Sequence, residues 1–540
     1  MQLRRFVLLT LLALQLTSLR AVPLTSATIA DLQAAFAAGT LTSEKLTALY
    51  LARIAAYDKQ GPAINAVITV NPKALEEARA LDAERKAGKV RGPLHGIPVA
   101  LKDNIDTFDL PTTGGSQLLE GSLPPDDALI TKKLREAGAV IIAKVNLSEW
   151  AGSGGSVSGA TDPAVLAAGR VPNGFSSAGG QTLNPHDLKR GPSGSSGGTG
   201  AAIAAAFAQF GLGTDTGGSV RGPSSANGLA GLKPTRGLLS RDGIIPLALS
   251  YDTAGPMARS VYDVAVSLGA MTGVDTADAA TAPSKGNFHT DYTPFLKKGS
   301  LKGARLGLAR DFMGQDTETD RLIEAAVAKL RDLGATVIDI KYPDYLLGAR
   351  QGTYNLLVAS EFKAQLTEYL KTTKPGYPKS FDEVVKLSND LATKYRSPGK
   401  AYGLTYTAKL ALDLDDPLYL ANKNEQIASV TATVLALFKK HQLDAIIYPT
   451  SPRPAGLIDA PPPTPGAAGG GSATSIANFT GFPDLIVPVG ITKDELPVTI
   501  SFLGVAWSEP KLLGYGYDFE QAVKGLVLPK TTPVLPGENL

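Results

Sequence analysis

The residues best suited to chemistry in this chain are two serines and a lysine. Ser195 stands in Gly194-Ser195-Ser196-Gly197-Gly198 and Ser219 in Thr216-Gly217-Gly218-Ser219, so glycines border each hydroxyl. Between them lie an Ala-rich run, 197–209, that reads as a helix and a short apolar piece, 210–215, that reads as a strand. Thirteen helical residues at a rise of ~1.5 Å carry the chain ~20 Å outward. Six extended residues at ~3.3 Å each bring it ~20 Å back. The two legs nearly cancel, so Ser195 and Ser219, 219 − 195 = 24 positions apart, should meet at one rim of a sheet. Gly217 and Gly218 can turn successive N–H groups into one concavity, suited to the negative oxygen that forms on a carbonyl under attack. Tight turns and helix-capping serines would leave the same pattern.

A serine nucleophile needs a base, and this chain has only four histidines, His95, His186, His289 and His441. None forms a helical H-E-x-x-H pair, which argues against a histidine-rich metal site. Lys102 ends the run Gly96-Ile97-Pro98-Val99-Ala100-Leu101, read as a strand over 96–101. The carboxyl end of a buried strand is where α/β sheets bind ligands, and desolvation there would lower a lysine's pKa until it serves as a neutral base. A lysine snorkelling out of a strand end would look the same in sequence. Two other patterns compete. Gly194 to Gly198 fits G-x-S-x-G with Ser196 as the nucleophile of an esterase that uses a histidine, but Lys189-Arg190-Gly191-Pro192 is not the apolar strand that such an elbow follows. Ser397-Pro398-Gly399-Lys400 fits S-x-x-K, a loose pattern. There is no phosphate-binding P-loop, and the absence of cysteine excludes thiol nucleophiles, disulfides, thiolate zinc sites and Fe–S clusters.

The elements that must hold these groups follow from the pattern. Hydrophobic residues make up 44% of the 540 and charged ones 19%, which suits a large buried core and excludes wholesale disorder. Lys and Arg number 53 against 50 Asp and Glu, a balance unlike that of a nucleic-acid binder. Arg4 and Arg5 before an apolar stretch, 6–16, and then Leu19-Arg20-Ala21 read as a secretory signal cleaved near Ala21. That stretch is shorter than the ~20 apolar residues of a membrane span. Thr42-Ser43-Glu44 caps a helical stripe of Leu46, Leu49, Tyr50 and Ile54. Further helices are expected over 72–86, 127–137, 319–333 and 424–440, and strands over 140–143, 336–340, 445–448 and 485–489. The alternation predicts an α/β layered fold. A Pro/Gly/Ala-rich stretch, 452–471, reads as a surface loop, and Asn146-Leu147-Ser148 and Asn478-Phe479-Thr480 are formal glycosylation sequons.

The run from Gly194 through Gly213-Thr214-Asp215-Thr216-Gly217-Gly218-Ser219-Val220-Arg221, with Gly96 to Asn104 upstream, resembles the amidase signature family. So do Asp252-Thr253-Ala254-Gly255-Pro256-Met257-Ala258-Arg259, Asn478-Phe479-Thr480-Gly481-Phe482-Pro483 and Phe519-Glu520-Gln521-Ala522, in the family's order. The resemblance implies one large domain over 22–540, with a mixed central sheet covered by helices on both faces. Its glycine/serine-rich catalytic core lies at about 91–260, and an extended tail runs from about 528. It implies Ser219 as nucleophile, Ser195 as an intermediary held in a cis peptide, and Lys102 as base. Backbone N–H groups of Thr216, Gly217, Gly218 and Ser219 would form the oxyanion hole, with Ser196, Asp215 and Arg221 in support. Within the family, Asn146 to Ala151 and Gly179-Gly180-Gln181-Thr182-Leu183-Asn184-Pro185 look like the branch of bacterial peptide amidases, which cleave C-terminal carboxamides. The export signal departs from the family's tRNA-dependent amidotransferases, because tRNA charging is cytoplasmic.

The expectation is therefore an exported amidase that acts on a small-molecule or peptide amide through an acyl-enzyme. It would use no metal, cofactor, nucleic acid or stable membrane span, and its oligomeric state is left open. The alternatives are the Ser196–histidine esterase and a non-catalytic exported binding protein on the same fold.

Overall fold

The computed structural model describes residues 22–152, 171–460 and 473–540; the expected signal at 1–21 and much of the expected loop at 452–471 lie outside them. Apolar β-branched runs build strands such as Val140–Val145, Ala445–Pro449 and Asp484–Ile491, whereas the central strands Phe210–Asp215, Ala230–Lys233 and Thr253–Ala258 are rich in Gly and Ala and are buried along their whole length. Among the described residues thirteen strands are numbered in chain order. Eleven of them form one sheet in the order β1 (Val67–Val70), β3 (Val140–Val145), β2 (Pro98–Lys102), β6 (Phe210–Asp215), β8 (Thr253–Ala258), β7 (Ala230–Lys233), β12 (Asp484–Ile491), β13 (Pro497–Leu503), β11 (Ala445–Pro449), β9 (Arg305–Ala309) and β10 (Thr336–Ile340). β4 (Phe175–Ser176) and β5 (Gly180–Gln181) make a small separate hairpin.

The sheet is mixed. β2 runs parallel to both β3 and β6, whereas β6 and β8 pair antiparallel from Phe210↔Ala258 to Asp215↔Thr253. Helices pack on both faces, among them Val261–Met271 on β8 and Glu509–Val523 on β12. β7, from the glycine/serine-rich core, pairs with β12 through Leu232↔Leu485, so no seam separates the two halves of the chain.

Most expected elements lie within a few residues of their predicted places. Thr42 Oγ1 accepts from the Lys45 N–H at 3.1 Å and starts the helix Ser43–Tyr57. The later helices are Ala74–Lys86, Leu129–Glu136, Thr317–Asp332 and Ile427–His441. The helix after Ser196 is shorter than the expected 197–209: it spans Gly197–Ala204. Ala206 (φ 54°) turns the chain, while Phe207 N–H reaches Ala202 O at 2.8 Å and Ala206 N–H reaches Ile203 O at 3.1 Å. These are the two bonds of a Schellman stop, usually built on glycine. An alanine in the left-handed position leaves no stop signal in an all-small run.

Arg53 pins that turn from behind. Fully buried, it donates to Ala205 O at 3.0 Å, to Thr532 O at 2.8 Å and to Pro533 O at 3.1 Å, and pairs with Glu538 at 2.8 Å. The C-terminal residues 524–540 carry neither helix nor strand, and Asn539 bridges back to Pro23. Arg53→Ala would leave the Glu538 carboxylate buried and uncompensated. The expected loss is about 3–5 kcal/mol of unfolding free energy in urea titrations, and a loss below about 1 kcal/mol would contradict this account.

Candidate active site

Lys102 is the last residue of β2, and its side chain is fully buried. Its Nζ lies 2.8 Å from Ser195 Oγ and 2.7 Å from Thr214 Oγ1, and Thr214 Oγ1 also accepts from Asn104 Nδ2 at 3.1 Å. Burial lowers the lysine's pKa from its usual value to about 7, against the opposing pull of the Asp215 and Asp252 charges. A neutral amine has two N–H bonds and one lone pair. One N–H is taken by Thr214, which leaves the lone pair for the Ser195 hydroxyl proton.

The Gly194–Ser195 peptide bond is cis. The carbonyl of Ser195 accepts from the Ser148 N–H at 2.9 Å, and the next N–H, that of Ser196, donates to Ser219 O at 3.2 Å. The two serine loops are thus bonded to each other at the rim where β2 and β6 end. Ser196 is turned elsewhere: its buried hydroxyl donates to Thr214 O and accepts from Thr214 N–H, both at 3.2 Å. The histidines have their own places. His95 Nε2 donates to Leu81 O at 2.9 Å and His186 Nε2 to Asn227 O at 3.2 Å. His289 packs against Tyr292 and Phe295, and His441 closes a surface helix. The esterase alternative therefore finds no histidine hydrogen-bonded to Ser196 among the described residues.

Beneath the Ser219 loop sits the Asp215 carboxylate. It accepts from the N–H groups of Gly218 at 2.9 Å and Val220 at 3.0 Å, and from Arg221 Nη2 at 3.0 Å and Nε at 3.1 Å. Burial alone would raise its pKa, but the Arg221 charge and hydrogen bonds outweigh that and hold it well below the usual carboxylate range. Arg221 also reaches Thr474 O at 2.6 Å, Asn478 Oδ1 at 2.6 Å and Asp484 at 2.8 Å. One expectation needs correction: the N–H of Gly218, counted among the oxyanion donors, is engaged by Asp215. The reason is alternation along the loop. The N–H groups on either side of Ser219 point down to the carboxylate, whereas those of Ser219 and Gly217 have no protein acceptor among the described residues.

Residues 45–513 match the family model described as Amidase. The solved structure of native peptide amidase from Stenotrophomonas maltophilia is 40% identical, with a TM-score of 0.84 over 94% of this chain and 99% of that one. A probable amidase of Arabidopsis thaliana is 34% identical over 92% of this chain and 90% of its own length. The chain belongs to the amidase family. Another relative, a glutamyl-tRNA(Gln) amidotransferase chain from a Synechococcus strain, is also 34% identical, over 89% of each sequence. This amidase is accordingly an enzyme that hydrolyses amide C–N bonds.

Several residues at the amidase site carried no role in the sequence reading. Thr214 stands beside Asp215 inside a quoted motif, but strand alternation does not point to it: the register Leu101↔Leu212 sets Lys102 level with Gly213, and the contact with Thr214 is made where the two strands end. Asp252 accepts from Thr216 Oγ1 at 2.5 Å and from the N–H groups of Leu247 at 2.8 Å and Ala248 at 2.9 Å. Asp484 and Tyr448, which share a hydrogen bond, come from distant strands. Both sequon asparagines are buried structural residues: Asn146 ties β3 to the hairpin, and Asn478 Nδ2 donates to Asp215 at 2.8 Å. Among the described residues no cluster of three or more His, Asp or Glu side chains is placed to hold a metal ion. No described helix is long and apolar enough to cross a membrane.

With Lys102 as the expected base, a pH dependence follows. Below a pKa of about 7 the amine is protonated and cannot accept. kcat/KM for an amide should therefore rise with pH and reach half its plateau near that value. A half-rise near the ordinary lysine range, or a flat profile through neutrality, would contradict this.

Proposed function

We propose that this amidase hydrolyses the carboxamide of peptide or amino-acid amides through an acyl-enzyme at Ser219, with Lys102 and Ser195 as its proton relay. The observation that carries the reading is the 2.8 Å contact between the buried Lys102 amine and the Ser195 hydroxyl, in a loop bonded to Ser219. The neutral amine takes the Ser195 proton while Ser195 takes that of Ser219, and Ser219 Oγ adds to the carbonyl carbon. The negative oxygen lies against the N–H groups of Ser219 and Gly217, with Thr216 beside them. The relay then runs backwards: Ser195 protonates the leaving nitrogen, the C–N bond breaks, and ammonia departs. Water, deprotonated by the same relay, attacks the ester and releases the acid and Ser219.

The likeness to peptide amidase over nearly the whole of both chains supports the substrate class. That protein is also known in complex with the competitive inhibitor chymostatin. The basic and apolar start of the chain supports action outside the cytoplasm after cleavage near Ala21.

Ser219→Ala should cut turnover of a peptide amide by at least about a thousandfold with an unchanged unfolding midpoint. Turnover at the parental rate would remove Ser219 from the mechanism. For export, N-terminal sequencing of the protein recovered outside the cytoplasm should begin at Val22. A mature chain that retains Met1 would refute cleavage.

A further inference from the structure

Outside the relay, one half-buried polar group lies against the Ser219 loop: the hydroxyl of Tyr354, from the helix Asp344–Leu370. A Cβ built on Gly217 would meet Tyr354 Oη at 2.5 Å, so this hydroxyl lies directly over the loop's first glycine. The ring is held by packing. It stacks on Tyr251 with centroids 5.4 Å apart and planes at 27°, and Tyr251, itself fully buried, packs on Phe479 at 5.1 Å. The helix is tied to the same segment, because Glu361 accepts from the Ser250 N–H and from Tyr419 Oη, both at 2.9 Å. Tyr354 Oη makes no hydrogen bond among the described residues, and as a half-buried hydroxyl at the loop it is left able to donate to a ligand. Burial, with the Asp252 and Asp215 charges beside it, raises its pKa, so it stays a protonated donor.

We infer that Tyr354 is a substrate-contacting specificity residue, whose hydroxyl donates to the backbone carbonyl next to the scissile carboxamide on the acyl side. The inference rests on the reading of Ser219 as nucleophile. With the reacting carbonyl held at Ser219, the next carbonyl of an extended acyl chain lies one residue's length, ~3.4 Å, away, and the hydroxyl over Gly217 sits beside the same loop, two positions before Ser219. The chemistry selects N-acylated amino-acid amides and peptide amides over simple amides that lack that acceptor. A site built to donate to a substrate group discriminates against analogues without it.

The test is Tyr354→Phe, which keeps the stacked ring. kcat/KM for N-acetylphenylalanine amide should fall about tenfold or more. Labelling of Ser219 by an alkyl fluorophosphonate, which needs the relay but has no acyl-side carbonyl, should stay within about twofold of the parental rate. Unchanged hydrolysis, or hydrolysis and labelling that fall together, would overturn the assignment. So would a parent that is labelled at Ser219 yet does not hydrolyse this amide. A parent not labelled at Ser219 would instead overturn the underlying nucleophile, and the proposal with it.

Discussion

Keeping an amine uncharged at the end of a central strand is the constraint on which the site depends. Lys102 sits among polar groups and near two carboxylates, either of which would stabilise an ammonium. Burial prevails because both carboxylates are occupied elsewhere. Asp215 is bound by Arg221, Asn478 and three backbone N–H groups, and Asp252 by Thr216 and two backbone N–H groups. Removing their compensating donors would leave negative charge free to pull the lysine back toward its protonated form. The Arg221 network therefore does more than brace a loop: it screens the Lys102 amine, the proposed base, from Asp215.

That network also explains why the glycine/serine-rich core cannot be separated from the rest of the chain. Arg221 belongs to the core, but Thr474, Asn478 and Asp484 lie more than two hundred residues later. β7 and β12 pair edge to edge between the same two regions. Gly218 shows how tight the junction is. With φ at +125°, its Cβ position falls 2.3 Å from Thr474 Oγ1, so a side chain there is barred by the late segment as well as by its own dihedral angle.

What could be read from the sequence was what depends on chain-local geometry. A helix out and a strand back bring Ser195 and Ser219 to one rim whatever the remaining residues do, and Lys102 follows from the end of an apolar run. The helix boundary was misplaced because Ala206 does the work usually done by glycine. The amphipathic helices with polar caps, such as Thr317–Asp332, lay close to expectation because their period and caps are written in the residues themselves. β13 and the helix Asp344–Leu370 had no such marks: a fully buried strand shows no alternation, and the helix mixes apolar and polar residues around its length. Asp252, Asp484 and Tyr354 matter through contacts made only by tertiary folding, and their types alone are common on any surface. The oxyanion loop was readable as a set of N–H groups, but the direction of each depends on where the Asp215 carboxylate lies.

Chemistry and selectivity are drawn from different parts of the chain. The groups of the proposed relay, Lys102, Ser195 and Ser219, all stand on the rim of β2 and β6, where the backbone of each is held by strand or loop hydrogen bonds. The aromatic wall beside them is assembled from Tyr251, Tyr354 and Phe479, which arrive on a loop and two separate helices. Gly217, two residues before Ser219, has no protein acceptor for its N–H among the described residues and lies under Tyr354 Oη, so it joins the Ser219 loop to the wall. A substitution in the wall can therefore alter which amide is accepted while the protonation of Lys102 and its 2.8 Å contact with Ser195 are preserved. Under the proposed relay the reverse does not hold, since any change that charges Lys102 would silence every substrate alike.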